Sequence, residues 1–415
     1  MNVVVALEHR FDRTPDGRVW TRSAFAYPFW TRYLEVFDWV RVAARVRDVA
    51  GCPPDAKRAD GQSVIFAAVP YYVGPWQYAM RAFQVRRAAR GVVRPEDATI
   101  LRVSSQIATC MLPLLERTGH PYGVEVVGDP YDVFAPGSVR HPLRRFLRWW
   151  APRRLRHQCR GACAALYVTE RALQRRYPPA PGAFTISCSD VELPPQAFAL
   201  SPRITRGRRG RLRLVTAGAL EYLYKGQDTL IDAVGISIRD GLDLELEIIG
   251  DGKQRSMLEA RASHLGDRVR FAGVLPGGRA VRDCLDAADV FVLPSRQEGL
   301  PRALAEAMAR GLPCVASNIG GIPELLAPED MVPPGDSTAL AQKIREVIQN
   351  PDRREKMSAR NLEKAQEYRH EILRERLSRF CRHVEYRTRE WLRLEDQRGL
   401  VPAPGSQNPG RQGIR

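Results

Sequence analysis

Two glutamates eight residues apart carry the most specific chemical signal in this sequence. Glu298 precedes, and Glu306 lies within, a predicted helix that starts at Pro301, where the missing N–H of proline is tolerated. The backbone N–H groups of Gly299 and Leu300, at the positive end of the helix dipole, form a predicted anion site. A carboxylate beside an anion site suits a ligand whose sugar hydroxyls donate to Glu298 while the amides bind an attached phosphate. Glu306 lies roughly 12 Å further along the axis, which fits the ribose of a nucleotide.

The elements that must position these residues alternate in type along the second half of the chain. Short apolar runs predict strands at 212–216, 244–249, 269–271, 290–293 and 314–316. Helical periodicity predicts helices near 226–238, 253–264, 279–287, 301–310 and 337–349. This alternation is typical of a mostly parallel sheet with helices on both faces, and such sheets bind ligands beyond the carboxyl ends of their strands.

The first half of the chain alternates in the same way. Predicted strands are 3–7, 64–69, 99–103, 123–127 and 164–168, and predicted helices are 26–38, 76–91, 106–118, 143–160 and 170–177. The proline-rich and then basic segment 178–210 is predicted to be an interdomain linker. Residues 352–396 are strongly helical by propensity. The composition of residues 398–415 predicts a disordered tail.

Composition and charge restrict the classes of function. The 415 residues carry 64 Lys and Arg against 47 Asp and Glu, a net charge of +17. Candidate partners are therefore nucleic acid, an anionic membrane surface and phosphorylated substrates. Nucleic acid is the weakest of these because no RNA-binding signature, zinc finger or basic heptad region is present. No apolar run reaches the ~18–20 residues of a membrane span, and the N-terminal VVVAL is predicted to be a strand, so we expect a cytoplasmic protein.

The eight cysteines are scattered, apart from Cys159 and Cys163. A zinc ribbon or finger would need tighter paired clusters. We therefore expect reduced thiols and no metal site.

Several sequence blocks resemble the retaining glycosyltransferases of family 4. The E-x7-E pattern inside EGLPRALAEAMARGLPCVAS is preceded, in the family's order and spacing, by LRLVTAGALEYLYKGQDTLIDAV, LELEIIGDGKQRSMLEA, VRFAGVL and DVFVLPS. With these blocks in register, a solvated helix face becomes the weaker interpretation of the two glutamates.

The resemblance implies an α/β protein of the GT-B fold. Two Rossmann-like domains face one another, and a C-terminal helix crosses back to the first domain. The implied divisions are 1–200 for the acceptor-side domain, 201–368 for the nucleotide-sugar domain, 369–397 for the crossover helix and 398–415 for the tail.

The resemblance also implies roles for residues outside the glutamate pair. Lys225 would neutralise charge developing on the departing diphosphate. Gly218 would bind the donor, and the main chain at Val274 and Leu275 would contact the nucleotide base. Ala219 departs from the pattern, because many relatives carry an arginine there; its contact is missing or is supplied elsewhere, for instance by an arginine of the first domain.

The first domain departs further from the family pattern. Many relatives carry a Gly-Gly loop after the first strand and a His-Asp pair after the fourth, and neither is present. Asp129 is the remaining acid at the second position. We predict that it lines the site as a catalytic residue, with capping of a turn as an equal alternative.

A basic segment at residues 139–160 has eight arginines and no acid. Leu143, Phe146, Leu147 and Trp150 follow helical spacing, which is typical of a helix lying on an anionic membrane. The equal alternative is that this stripe packs on the core while the arginines face solvent or acceptor phosphates. Pro142 and Pro152 are expected to confine the helix to two or three turns.

These observations predict a metal-independent, retaining hexosyltransferase without a cofactor. It would transfer a sugar from a nucleotide-diphosphate sugar to a glycan or polyprenyl-linked acceptor, in cell-surface polysaccharide or glycoconjugate synthesis, at the inner face of the membrane. The alternative function is a catalytically weak GT-B pseudo-enzyme that acts as a binding or assembly protein.

Overall fold

The computed structural model of the chain describes residues 1–135, 142–191, 193–204 and 210–398. The predicted tail lies almost entirely outside these ranges, as do parts of the basic segments near residues 140 and 205. No helix within the described ranges is both long enough and apolar enough to cross a bilayer.

The first sheet contains nine strands. They are β1 Val3–Arg13, β2 Val19–Thr21, β3 Val40–Asp48, β4 Lys57–Arg58, β5 Val64–Pro70, β6 Ala98–Val103, β7 Gly123–Val126, β8 Ala164–Tyr167 and β9 Phe184–Ser187. The parallel strands run in the order β5-β3-β1-β6-β7-β8-β9, while β2 and β4 add an antiparallel extension to β1. The chain order therefore reverses between β1 and β6, as in a doubly wound sheet.

Helices connect these strands. They are α1 Tyr27–Thr31, α2 Gly74–Val92, α3 Gln106–Thr118, α4 Pro130–Val133, α5 Arg144–Gly161 and α6 Ala172–Arg176. Ser105 accepts the N–H of Ala108 at the start of α3, and left-handed Gly119 ends that helix. The helix boundaries follow ordinary capping chemistry.

The second sheet contains six parallel strands in the order β12-β11-β10-β13-β14-β15. They are β10 Leu212–Ala217, β11 Leu244–Ile249, β12 Val269–Gly273, β13 Val290–Leu293, β14 Cys314–Ser317 and β15 Met331–Val332. The helices that follow are α7 Gln227–Arg239, α8 Arg255–Ala262, α9 Arg279–Ala287, α10 Arg302–Ala309, α11 Ser337–Ile348, α12 Pro351–Ala365 and α13 His370–Gln397. Chain order reverses between β10 and β13, so the loops after these two strands flank a crevice.

The last helix, α13, lies against β6, β7, β8 and β9 of the first sheet. Phe380 and Val384 of this helix are fully buried. A Cβ atom added to Gly123 of β7 would lie 2.6 Å from Val384 Cγ2 and 2.7 Å from Phe380 Cζ. The C-terminal helix therefore packs so closely on the first sheet that position 123 of β7 has room only for glycine.

The structure differs from the predicted elements at four main places, and the short elements α4, β2, β4 and β15 were also not predicted. Strand β3 was not predicted, because its arginines resemble a surface segment; tertiary partners pair Arg41 with Asp97 and Arg45 with Glu8. The predicted helix 26–38 ends at Thr31 and continues as turns.

The other two differences concern prolines. The predicted linker 178–210 contains β9, which extends the first sheet. Helix α5 continues through Pro152 to Gly161, so the expected limit of two or three turns was wrong. Pro152 is buried in that helix, and its packing outweighs the lost backbone hydrogen bond.

We predict that Gly123→Ala lowers the thermal unfolding midpoint, with a destabilisation of about 1–3 kcal/mol, because the new methyl overlaps two rigid buried side chains. Gly91→Ala is the matched control, since an added Cβ meets nothing within 4 Å there. Differential scanning calorimetry of both variants gives the comparison. Equal midpoints for Gly123→Ala and the parent would contradict the close packing of α13.

Candidate active site

The crevice of the second sheet is formed by the loops that follow β10 and β13. The first loop carries Gly218 and a short 3-10 turn, Leu223–Lys225, and the second carries Glu298. Both loops leave the carboxyl edge of the sheet at the position where its chain order reverses. The fold therefore brings together two residues that are 73 positions apart in sequence.

Lys225 and Glu298 form an ion pair at the base of this crevice. Lys225 Nζ donates to Glu298 Oε1 at 2.7 Å, and Ser295 Oγ donates to the same oxygen at 2.7 Å. The Glu298 side chain is 7% exposed and that of Lys225 is 17% exposed. A buried carboxylate is stable only with such partners. The sequence predicted both residues as site residues but did not predict their contact.

Arg296 holds the two loops together. Its guanidinium donates to both carboxylate oxygens of Asp228 at 2.8 Å and to the carbonyl oxygen of Leu223 at 2.6 Å. Its backbone N–H donates to the Tyr224 carbonyl oxygen at 2.7 Å. Bidentate pairs of this kind fix orientation as well as distance. The sequence analysis missed Arg296, although its position two residues before Glu298 was a signal.

Two glycines allow this close approach of the loops. Gly226, directly after Lys225, has φ +73°, and an added Cβ would lie 2.0 Å from the Pro294 carbonyl oxygen. Gly320 has φ +57°, and a Cβ there would lie 2.1 Å from the Glu298 carbonyl oxygen. Any other residue would push the lysine turn or the 318–324 loop away from the glutamate.

The start of α10 differs slightly from the prediction. Pro301 is the N-cap residue, with φ −76° and ψ 114°, and Arg302 is the first helical residue. Gly299 and Leu300 therefore belong to the loop before the helix. Their N–H groups have no protein acceptor among the described residues. They remain the predicted anion site.

Glu306 lies one turn inside α10 and is half-buried. Burial raises the pKa of its carboxyl, and the charge of Arg302 opposes this shift. No protein hydrogen-bond donor contacts this carboxylate within the described part of the chain. A partly desolvated acceptor without a protein donor suits ligand hydroxyls.

The remaining predicted donor-side residues lie at the carboxyl edge of the same sheet. A Cβ at Gly218 would lie 3.2 Å from Lys225 Cγ, so the β10 loop contacts the lysine side chain. Val274 and Leu275 follow β12, and Val274 is largely exposed. Ala219 is exposed, and neither of its neighbours in the sequence, Gly218 and Leu220, is an arginine. The charge of Arg10, at the end of β1 in the first domain, weakly opposes the raised pKa of Lys253 in the β11 loop.

Asp129 belongs to the first-domain wall of the cleft. It caps α4 by accepting the N–H of Tyr131 at 2.9 Å, and it also accepts hydrogen bonds from Arg176 and Tyr177. Asp129 and Arg176 line a cavity of about 210 Å³ together with Glu298 and the loop 318–321. Asp129 thus both caps the turn at α4 and lines the cavity. Its carboxylate oxygens already accept hydrogen bonds from protein donors.

Glu324 joins the two domains beside this cavity. Its carboxylate accepts the N–H groups of Glu170, Arg171 and Ala172 at 2.5, 2.8 and 2.7 Å. These donors form the start of α6 in the first domain. The sequence analysis did not predict this role, because backbone N–H groups leave no trace in the side-chain pattern.

No group of three or more His, Cys, Asp or Glu side chains is arranged to hold a metal ion within the described residues. All eight cysteines are free thiols, and burial raises the pKa of Cys159 to about 12 and of Cys163 to about 11.

Two parallel α/β domains whose site lies between facing strand edges define the GT-B class. The structure of Anabaena HepE in complex with UDP and glucose is similar, with a TM-score of 0.62 and 16% identity, and the match covers 91% of this chain and 98% of HepE. The GT-B fold predicted from the sequence is therefore confirmed.

Sequence comparison places the chain among the glycosyltransferases. Residues 211–350 match the family model for glycosyl transferases group 1. Protein CapJ of Staphylococcus aureus is 26% identical over 333 residues, which cover 80% of this chain and 83% of CapJ. Amylovoran biosynthesis glycosyltransferase AmsK of Erwinia amylovora is 39% identical over 167 residues, which cover 38% of this chain and 40% of AmsK. These comparisons support glycosyltransferase activity for this GT-B protein, and the group 1 match is confined to residues 211–350 of the second domain.

Glu306→Gln is predicted to change the pH dependence of stability. Below the ordinary carboxyl pKa of 4.5, Glu306 is protonated in both the folded and the unfolded parent. The pH therefore does not yet change the difference in unfolding free energy between the variant and the parent. As the pH rises through the raised folded-state pKa, the unfolded parent releases its proton first, so its free energy of unfolding falls. Glutamine removes this loss, so above the folded-state pKa the variant is the more stable protein.

Thermal unfolding between about pH 4 and pH 8 checks this sign. Glu363→Gln, on the exposed face of α12, is the control and should give a curve parallel to the parent. A constant difference between Glu306→Gln and the parent at every pH would contradict a raised pKa at Glu306.

Proposed function

We propose that the protein transfers a hexose from a nucleotide-diphosphate sugar to a glycan or polyprenyl-linked acceptor, with retention of anomeric configuration and without a metal ion. The observation that carries the proposal is the buried Lys225–Glu298 pair beside the amides of Gly299 and Leu300. It places a cation, a carboxylate and free N–H donors at one point of a cleft between two domains.

Each donor-side group has a proposed role in binding. Glu298 orients the sugar through its hydroxyls, and Lys225 and the two amides bind the diphosphate. Glu306 accepts the ribose hydroxyls. A donor with these three parts in this order is a nucleotide-diphosphate sugar. The name of the HepE complex, with UDP and glucose, supports the choice of donor class.

Proposed catalysis depends on charge and position. As the glycosidic bond breaks, negative charge accumulates on the leaving diphosphate, next to Lys225 and the two amides. The acceptor hydroxyl attacks from the face that the diphosphate leaves, and a diphosphate oxygen takes its proton. Arg10, on the facing wall, adds positive charge that Ala219 does not supply. Asp129 orients Arg176 at the acceptor side of the cavity.

The proposed acceptor lies on the side of the first domain. Amylovoran biosynthesis in the name of AmsK supports a role in polysaccharide synthesis. A polyprenyl-linked acceptor would be presented at the inner face of a membrane, where the basic helix α5 would contact anionic lipid. We propose this place of action for the enzyme.

Glu298→Gln is predicted to lower the turnover number by about 10²–10³-fold, because the neutral amide no longer orients and polarises the sugar hydroxyls. Nucleotide diphosphate binding should change little, since Lys225 and the amides remain. Transfer or donor hydrolysis is measured across UDP-, GDP- and ADP-sugars, with and without EDTA, and product anomers are assigned by NMR. Glu259→Gln, an exposed carboxylate on α8, is the control and should keep full activity.

Three results would contradict this proposal. They are full activity of Glu298→Gln, inversion of the anomer, and loss of activity in EDTA. The alternative, a binding or assembly protein, predicts no transfer and no thermal stabilisation by any nucleotide. A bound nucleotide at a hundred times its dissociation constant stabilises by about 2.7 kcal/mol, so the two functions are easily separated.

A further inference from the structure

Helix α2 exposes a stripe of large apolar side chains. Trp76, Met80 and Phe83 are spaced by four and three residues, so they lie on one face over about two turns. Trp76 is 75% exposed and Phe83 is 76% exposed. Side chains of this size are rarely left so accessible in a row, and contiguous exposed patches mark interaction surfaces.

Helix α5 carries a second exposed stripe. Phe146 and Trp149 are each more than half exposed, as is Leu143 just before the helix. The Phe146 and Trp149 rings lie 5.9 Å apart. Of the predicted stripe, Leu143 and Phe146 face outward, whereas Leu147 and Trp150 are partly buried. Packing on the core therefore describes only half of the stripe.

Both helices contact α3. Gln106 of α3 donates to the Tyr78 hydroxyl of α2 at 2.6 Å, and Gln158 of α5 donates to Thr109 of α3 at 3.3 Å. The Arg154 guanidinium of α5 interacts electrostatically with Tyr78. The stripes of α2 and α5 therefore belong to one side of the first domain.

The charge on these helices is entirely positive. Helix α2 has four arginines and α5 has seven, and neither helix contains an acid. None of these arginines forms an ion pair with a carboxylate in the described part of the chain, whereas arginines elsewhere, such as Arg47 and Arg261, pair with aspartates. Arg153 instead stacks on Trp149, 4.3 Å from the ring centroid. Arginine beside exposed tryptophan is typical of a membrane interface.

Two cavities flank α5 and differ in chemistry. The outer cavity, of about 340 Å³, is lined by Tyr131, Arg145, Arg148, Trp149, Arg153 and Arg156, together with Pro152. The inner cavity, of about 410 Å³, is mostly apolar and lies between α3 and α5, where Leu147 and Trp150 line it. It extends to Gly128, next to Asp129 of the cleft. The outer cavity, with its arginines, thus suits phosphate groups. The inner cavity suits hydrocarbon, and it extends toward the proposed site.

We propose that α2 and α5 together form a docking surface for a bilayer that contains anionic phospholipid. The two apolar stripes enter the interfacial region, the arginines bind lipid phosphates, and the inner cavity receives the hydrocarbon part of a lipid on its way to the cleft. The inference rests on the proposed function only in that a membrane would present the acceptor. It adds a second helix and a lipid path to the contact proposed for α5.

A bilayer fits these features better than nucleic acid. Nucleic acid would engage the arginines through phosphates, but it would leave the stripe of Trp76, Met80 and Phe83 without a partner. An amphipathic surface matches the depth profile of a membrane interface when it has a large apolar component and, as in the described part of this chain, arginines without carboxylate partners.

The test is co-sedimentation of the full chain with large unilamellar vesicles, in the absence of donor and acceptor. Vesicles of phosphatidylcholine alone are compared with vesicles that contain about 30 mol% phosphatidylglycerol, at low and at high salt. We expect binding to the anionic vesicles to be stronger by at least tenfold, and by roughly fivefold for each arginine near the surface. Salt should weaken it.

Paired variants separate the contributions of the helices. Trp76→Ser with Phe83→Ser removes the α2 stripe, and Phe146→Ser with Trp149→Ser removes the α5 stripe. Each pair is expected to lower the partition coefficient by at least about tenfold, because the lost apolar area no longer enters the interface. The control pair, Tyr386→Ser with Leu394→Ser, removes exposed apolar side chains of α13 and should change nothing. Circular dichroism confirms that each variant is folded.

Several outcomes would overturn the proposal. These are equal binding to neutral and anionic vesicles, unchanged binding of the α2 pair, and binding of duplex DNA that matches vesicle binding and is insensitive to both pairs. Donor hydrolysis measured without vesicles should be the same for the α2 pair and the parent. A protein that binds vesicles but uses no donor would contradict the proposed function alone, and the reverse result would contradict the docking surface alone.

Discussion

The cleft depends on one carboxylate that joins the domains. Glu324 accepts three consecutive N–H groups at the start of α6, so a negative charge of the second domain meets the positive end of a helix in the first. Charge-assisted bonds of this kind are short and directional. They set the distance at which Asp129 and Arg176 face Glu298 across the cavity. Each sheet presents the carboxyl edge of its parallel strands to the cleft. The Glu324 contact fixes the position of these two edges relative to each other beside the site.

Within the second domain, electrostatics and backbone sterics support each other. Burying Glu298 is favourable only because Lys225 and Ser295 donate to it, and the close approach of the lysine turn to Pro294 requires glycine at position 226. The Arg296–Asp228 pair then holds both loops at this distance. A site built this way has its charges in place before a ligand arrives, so little reorganisation is needed when negative charge develops.

The excess of positive charge has an uneven distribution. In much of the chain, arginines pair with aspartates and glutamates across strands and helices, as Arg13 does with Asp48. Among the described residues, the arginines of α2 and α5 have no carboxylate partners. Three arginines of α5, Arg148, Arg153 and Arg154, lie over aromatic rings instead. The arginines of α2 and α5 therefore place positive charge on one side of the first domain, and no acid on these helices balances it. That side adjoins the cleft through the cavity under α5.

The sequence by itself determined the α/β class and most of the strands and helices, because local periodicity is a property of neighbouring residues. It also predicted donor-side roles for Glu298 and Glu306 from their spacing and for Lys225 from a family resemblance. It did not predict β3, whose arginines pair with Asp97, just before β6, and with Glu8 of β1.

Only the tertiary structure decided which residues touch. The Lys225–Glu298 pair, the Arg296 clamp and the Glu324 contact join positions separated by 68 to 154 residues. It also decided that Asp129 already has three donors and that the stripes of α2 and α5 face outward. Burial and pairing depend on what the rest of the chain places nearby, and no local pattern encodes that.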